Sequence, residues 1–259
     1  MYTIQDAMAI LHANTTGVVI MAALTYGLGF LAYLTGLYMQ LKNREFPMYF
    51  WCHCWYFGHD FTFAMLFHMW WKDVGFWLFK VMCIGCWLFV VIELVCLYLT
   101  VKYERNFNWG KYFKDKTVSE RQAWVMGIAG YATGLIIFVA LRKILGDPMC
   151  FVLMSSTLFI CGLTIKYNTK ERKYINRGSR FLCFAVIVMI IPAFLPPGLG
   201  LFTTMVPALN QPAYYVLGAL AILNAIDFIR ITFQLPTKEQ YLAEGGDIPY
   251  REEWETKTA

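Results

Sequence analysis

Residues 75–101 read GFWLFKVMCIGCWLFVVIELVCLYLTV, a stretch broken by only two charges, Lys80 and Glu93. As an α-helix rising about 1.5 Å per residue it would reach about 40 Å, longer than the roughly 30 Å hydrocarbon core of a bilayer. A helix lying on a soluble core needs one apolar stripe, and this one is apolar on every side. The stretch therefore predicts a membrane-spanning helix with a carboxylate, Glu93, well inside it.

Six further segments show the same character: 17–40, 48–71, 122–141, 147–165, 181–195 and 212–233. The segment at 181–195 is the shortest and runs into Pro192, Pro196 and Pro197. The expected fold class is thus all-α: a polytopic membrane protein with seven transmembrane helices in one domain, 1–234, followed by a charged tail, 235–259. That tail carries Pro236, Gly245, Gly246 and Pro249, which oppose long regular structure. The uncharged stretch from Pro196 to Pro212 reads as a greasy loop, with a re-entrant lid as the alternative. Hydrophobic residues make up 59% of the chain and charged residues 15%, which excludes an ordinary soluble domain.

Lysine and arginine set the orientation. With seven helices, 18 of the 22 fall on one side, and Lys72, Lys80, Arg142 and Lys143 are left for the other. Basic loops are retained in the cytoplasm, so the N-terminus is expected outside and the tail inside. The same bias accounts for the net charge of +5, and no nucleic-acid partner is expected. The first dozen residues have no basic region, so no cleavable leader is expected. The expected location is an integral membrane site, the endoplasmic reticulum in a eukaryote or the plasma membrane in a bacterium.

Three acids lie inside the apolar segments: Asp60, Glu93 and Asp227. An ionisable group at that depth costs about 2.5–3.5 kcal/mol on insertion scales, which makes each a candidate functional residue. Asp60 lies in the most unusual segment, Trp51-Cys52-His53-Cys54-Trp55-Tyr56-Phe57-Gly58-His59-Asp60-Phe61-Thr62-Phe63. Helical periodicity puts His53 and Asp60 on one face, with Tyr56, Phe57 and Phe63 around them. The structural reading is a helix packed by aromatics; the functional one is a general acid in a dry aromatic pocket, where burial opposes ionisation. Asp227 has Asn224 and Arg230 three residues to either side, and a local ion pair with Arg230 is its structural reading. Glu93 has no partner on its own face.

Metal and haem are not expected. The four histidines are too few for a di-iron centre, and His53, His59 and His68 all fall in one segment while haem ligands usually face each other from two helices. The eight cysteines lack zinc spacing and read as small apolar filler.

The segments Tyr56-Phe57-Gly58-His59-Asp60-Phe61, Trp87 to Tyr103, and Ile226-Asp227-Phe228 resemble the small seven-helix integral-membrane terpene cyclases of fungal meroterpenoid and indole-diterpene pathways and their bacterial relatives. The resemblance spans most of the chain, although each motif reduces to one acid among aromatics. It implies that the acids of the second and last helices, Asp60 and Asp227, are catalytic; Glu93 is an extra acid that the family pattern does not match and stays a catalytic candidate by its depth alone. It implies a lipophilic prenylated substrate and no cofactor, and the neighbours of the two acids, His53, Tyr56, Phe57, His59, Phe63 and Asn224, are the candidate substrate contacts. Where the family carries Glu after an aromatic residue this chain has His59-Asp60, which leaves open the proton donor and whether the substrate is an epoxide.

The residue inventory suits that chemistry. A neutral buried acid can protonate an epoxide or alkene, and aromatic faces can each stabilise a carbocation by about 0.5–2 kcal/mol. No aspartate-rich motif for binding a diphosphate through Mg²⁺ is present. Two other classes use the same acids: a proton-coupled or small-solute carrier, which needs polar lining and access from both faces, and a structural subunit of a membrane complex.

Overall fold

The computed structural model describes residues 2–248, and these form helices, turns and one isolated β-bridge, with no strand. Apart from two five-residue helices, Arg105–Trp109 and Leu201–Met205, the helices in chain order are α1 (Ile4–Ala13), α2 (Thr15–Asn43), α3 (Phe50–Met65), α4 (Trp77–Tyr103), α5 (Glu120–Ile144), α6 (Phe151–Arg172), α7 (Ser179–Ala193), α8 (Pro212–Gln234) and α9 (Lys238–Ala243). Five of them, α2, α4, α5, α6 and α8, are long and apolar enough to cross a membrane. α3 and α7 are apolar but shorter. Of the expected tail, residues 249–259, Pro249 included, lie outside the described residues.

Several boundaries differ from the sequence expectation for identifiable reasons. The segment expected at 48–71 is not one helix. α3 stops at Met65, and the chain resumes as a π-helical turn over Met69–Val74. The Trp70 indole donates to the Phe63 carbonyl at 2.8 Å and takes up an acceptor that the helix end releases. The segment expected from 147 begins as a helix only at Phe151. Asp147 is instead a buried anchor: its Oδ2 accepts from the Leu153 amide at 3.0 Å and its Oδ1 from the Tyr2 hydroxyl at 2.5 Å. The same helix runs past the expected 165 to Arg172, because Asn168, Thr169 and Arg172 are buried at its far end. The stretch expected as a loop after Pro196 also folds inward. It forms a short helix, Leu201–Met205, with Phe202 fully buried and edge-on to Tyr26 at 6.4 Å.

At the centre, α3 packs against α5 on one side and α4 on another, while α8 packs against α6 and α7, and α7 against α2. The α3–α5 contact is backbone to backbone. A Cβ on Gly134 would sit 2.0 Å from the Cys54 carbonyl oxygen, and one on Gly58 2.6 Å from the Gly134 carbonyl. Small residues allow this approach, the usual device where helices meet in a bilayer.

A charge cluster closes one end of the bundle. Arg172 at the end of α6 pairs with Glu104, just after α4, at 2.6 Å and with Glu45, in the α2–α3 connection, at 3.6 Å. Its guanidinium lies 3.9 Å from the centre of the Phe107 ring. Glu45 also takes Lys238 from α9 at 2.5 Å, Asn176 at 2.6 Å and the Tyr174 hydroxyl at 2.7 Å. The β-bridge between Ile175 and Thr237 fixes the first part of the tail beside it. Burial alone would push the Glu45 carboxyl up, but Arg172 and Lys238 carry it below the ordinary glutamate range. At Glu104, burial outweighs its pairing with Arg172 and the carboxyl is pushed up.

Two outcomes are expected. Gly134→Val forces α3 and α5 apart and lowers stability by about 1–3 kcal/mol or more, read as an earlier thermal unfolding midpoint in detergent. Glu45 titrates below its unfolded value, about 4.3, so its contribution is fully present above that value and is lost as pH falls through the lower folded one. Glu45→Gln should therefore lower stability at pH 7 and lose less than wild type on acidification. Equal loss in both proteins would sink the assignment.

Candidate functional site

Between α2, α3, α4, α6 and α7 lies a cavity of about 710 Å3, counting the space at its mouth. Its aromatic wall comes from Tyr26, Phe30 and Tyr33 of α2, Phe46 of the following connection, Tyr56 of α3 and Phe89 of α4. Leu158, Cys161 and Ile165 of α6 and Leu182 and Met189 of α7 line it elsewhere. The α2 residues follow from spacing: Tyr26, Gly29, Tyr33 and Gly36 recur at three and four positions, which brings them to one face. Tyr26 sits in a π-helical turn, Ala23–Gly27, a local widening often found at functional sites.

Asp60 and His59 are on the cavity wall. Asp60 is buried, and its Oδ1 lies 2.7 Å from His59 Nδ1. His53, expected beside Asp60, is not its partner. Seven residues of helix bring two side chains to one face but leave them about 10.5 Å apart along the axis, beyond hydrogen-bond reach.

His53 belongs to a second polar group built on Glu93. Its Nδ1 lies 2.9 Å from Glu93 Oε2, and both side chains are 0% exposed. The Tyr131 hydroxyl of α5 donates to the same oxygen at 2.8 Å, and the Tyr33 hydroxyl of α2 donates to Glu93 Oε1. Glu93 thus has no partner on its own helix and three from neighbouring ones, which is why one helix face could not reveal them. His53 Nε2 and His59 Nε2 are buried without a hydrogen-bond partner.

Asp227 stands apart. Its carboxylate pairs with Lys166 of α6 at 3.0 Å and with Arg230 at 2.6 Å, with 27% of its side chain exposed. Neither it nor any other α8 residue lines the cavity. Asn224 is turned outward and bonds the Leu220 carbonyl. Of the other expected substrate contacts, Tyr56 and His59 line the cavity. Phe57 instead stacks on Tyr131 at 4.4 Å and Phe63 on Trp70 at 4.3 Å, both in the packing between helices. Sequence reasoning missed Tyr26, Tyr33, Phe46 and Phe89; the α2 spacing was the signal for the first two.

His59, Asp60 and Cys86 each offer a ligand atom, and the three atoms lie within 4.8 Å of one another in a buried setting. Among the described residues this is the group with the donors to hold a metal ion, of the soft or borderline kind that accepts thiolate and imidazole. The His59–Asp60 hydrogen bond already gives two of the three donors a partner.

Comparison with known proteins finds no matching family model, no matching curated protein and no matching solved structure. What the site can do therefore rests on its chemistry: a buried acid with one histidine partner, facing an aromatic cleft with few polar groups.

Asp227→Asn should lower stability only slightly, by about 1 kcal/mol or less, because its partners are partly or largely exposed. Glu93→Ala should cost several times more, since it strands three buried polar side chains at about 1–3 kcal/mol each. Thermal unfolding of the two purified variants against wild type checks the order; equal shifts would contradict it.

Proposed function

We propose that the protein is a membrane-bound terpene cyclase that protonates an epoxide or alkene of a prenylated substrate and guides its cyclisation through carbocations. The observation that carries this reading is Asp60: a buried acid at the wall of an aromatic cleft, hydrogen-bonded to His59. The resemblance of the chain to the small integral-membrane cyclases points the same way.

The chemistry follows from the wall. Neutral Asp60 gives its proton to an epoxide oxygen, whose C–O bond breaks, or to an alkene carbon, whose π electrons form the new C–H bond. His59 Nδ1 steadies the carboxylate left behind. The cation then passes along the π-faces of Tyr26, Phe30, Tyr33, Phe46, Tyr56 and Phe89, each worth about 0.5–2 kcal/mol to a desolvated cation. Closely packed helices and the inward-folded Leu201–Met205 segment limit water, which would quench the cation. This reaction needs no cofactor.

The reading includes a topology of seven crossings, with α3 and α7 joining the five longer helices, the N-terminus outside and the tail in the cytoplasm. It is supported by the distribution of Lys and Arg. The Glu45–Arg172–Lys238 cluster would then close the cytoplasmic end. A lipophilic substrate would reach the cleft from the bilayer of the endoplasmic reticulum or of a bacterial plasma membrane. Asp227, the second acid that the resemblance singles out, is held by its two cations outside the cavity and takes no part in the proton transfer described.

Membranes containing the protein, supplied with prenylated epoxides and alkenes, should yield cyclised products. Asp60→Asn should lower conversion by about 10²–10⁴-fold, while Asp227→Asn should stay within a few-fold of wild type. Conversion should survive chelation; loss on chelation with recovery on adding Zn²⁺ would instead assign the reaction to a metal held by His59, Asp60 and Cys86. Failure of the wild type to convert any polyene would overturn the cyclase reading in favour of a carrier.

A further inference from the structure

A cyclisation that starts with a proton from Asp60 ends when the last carbocation loses one, and that step needs a base facing the same cleft. The cavity wall presents one polar group with a carboxylate directly behind it. The Tyr33 ring lines the cavity, its hydroxyl donates to Glu93 Oε1, and it lies 3.1 Å from His53 Nδ1. Glu93 accepts from the Tyr33 and Tyr131 hydroxyls, and His53 Nδ1 lies against its second oxygen. Among the described residues no lysine or arginine pairs with it, so its side-chain partners are the two tyrosines and His53.

The geometry points to Tyr33, backed by Glu93, as the proton acceptor that terminates the reaction. The assignment rests on the cyclase reading above and adds to it the site where the proton leaves. In this step a C–H bond next to the cationic carbon breaks and its electron pair becomes the π bond of the product alkene. The proton goes to the Tyr33 oxygen as that hydroxyl passes its own proton to Glu93 Oε1. His53 Nδ1 and the Tyr131 hydroxyl stay on the other oxygen and hold the carboxyl in position. When product leaves, Asp60 regains a proton from water and Glu93 returns one, so the isomerisation consumes none.

The placement gives the cleft two ends. His53 and Asp60 are both on α3, two turns or about 10.5 Å apart along its axis, so the proton enters near one end of that helix segment and leaves near the other. A polyene lying along α3 would have its first reacting group at Asp60 and its last cation near Tyr33. The Tyr33 ring also packs edge-on to Phe89 at 5.0 Å and to Tyr56 at 6.0 Å, which makes it part of the aromatic wall.

The test compares wild type, Asp60→Asn, Tyr33→Phe and Glu93→Gln on one prenylated epoxide that the wild type converts, following substrate consumption separately from product distribution. Asp60→Asn should stop consumption. Tyr33→Phe, which keeps the ring, should consume substrate within about tenfold of wild type, while the share of the wild-type alkene falls at least about tenfold in favour of alkene isomers and water-quenched alcohols. Glu93→Gln should shift products in the same direction. Thermal unfolding reports whether each variant is folded, and if Glu93→Gln is not, Tyr33→Phe decides alone. An unchanged product ratio in folded Tyr33→Phe overturns the assignment, and so does loss of consumption in that variant, which would place Tyr33 at initiation. If the wild type converts nothing, it is the cyclase reading that fails, and the two failures are thereby told apart.

Discussion

A charge buried in a helical bundle must find its counter-charge within the protein, and the organisation of this chain depends on how it meets that requirement at Arg172. The guanidinium is buried at the end of α6 and is held by Glu104 after α4 and Glu45 after α2. Removing one partner of such a group leaves an uncompensated charge and costs about 3–5 kcal/mol. Because the partners come from connections far apart in sequence, one side chain fixes the relative height of three helices. Lys238 and the Ile175–Thr237 bridge then attach the start of the tail to the same point.

The same requirement sorts the acids deeper in the bundle. Glu93 is surrounded by donors from α2, α3 and α5, and Asp227 by two cations; each is satisfied by protein alone. Asp60 has His59 on one oxygen and the cleft beside it. The cost of an intramembrane acid, roughly equal for the three on an insertion scale, is thus met in different ways. Of the three, Asp60 is the one that lines the cavity.

The helical class and the five long apolar helices were legible in the sequence, because length and hydropathy are local properties. The ends of the helices were not. α6 is displaced by Asp147 at its start and Arg172 at its end, and both act through residues more than a hundred positions or several helices away. The Arg230 partner of Asp227 was legible at three-residue spacing, whereas Lys166, on another helix, was not. Glu93 shows the limit most clearly: a single helical face gave it no partner, and its three partners lie 38, 40 and 60 positions away. Periodicity correctly placed His53 and Asp60 on one face, but rise along the axis separated them into two groups.

That separation is useful only if α3 cannot slide. Its start is fixed by the Phe50 amide bonding Asn108 Oδ1 at 2.8 Å, and its middle by the direct contact of Gly58 with the Gly134 backbone. Neither contact involves a flexible side chain of α3, so both hold its register through the backbone. His59 and Asp60 on the cleft wall and His53 behind it therefore keep a constant spacing set by the helix itself. A site placed on a rigid element holds its geometry better than one on a loop. The close approach of α3 and α5 at Gly58 and Gly134 thus holds in place the helix that carries His59 and Asp60.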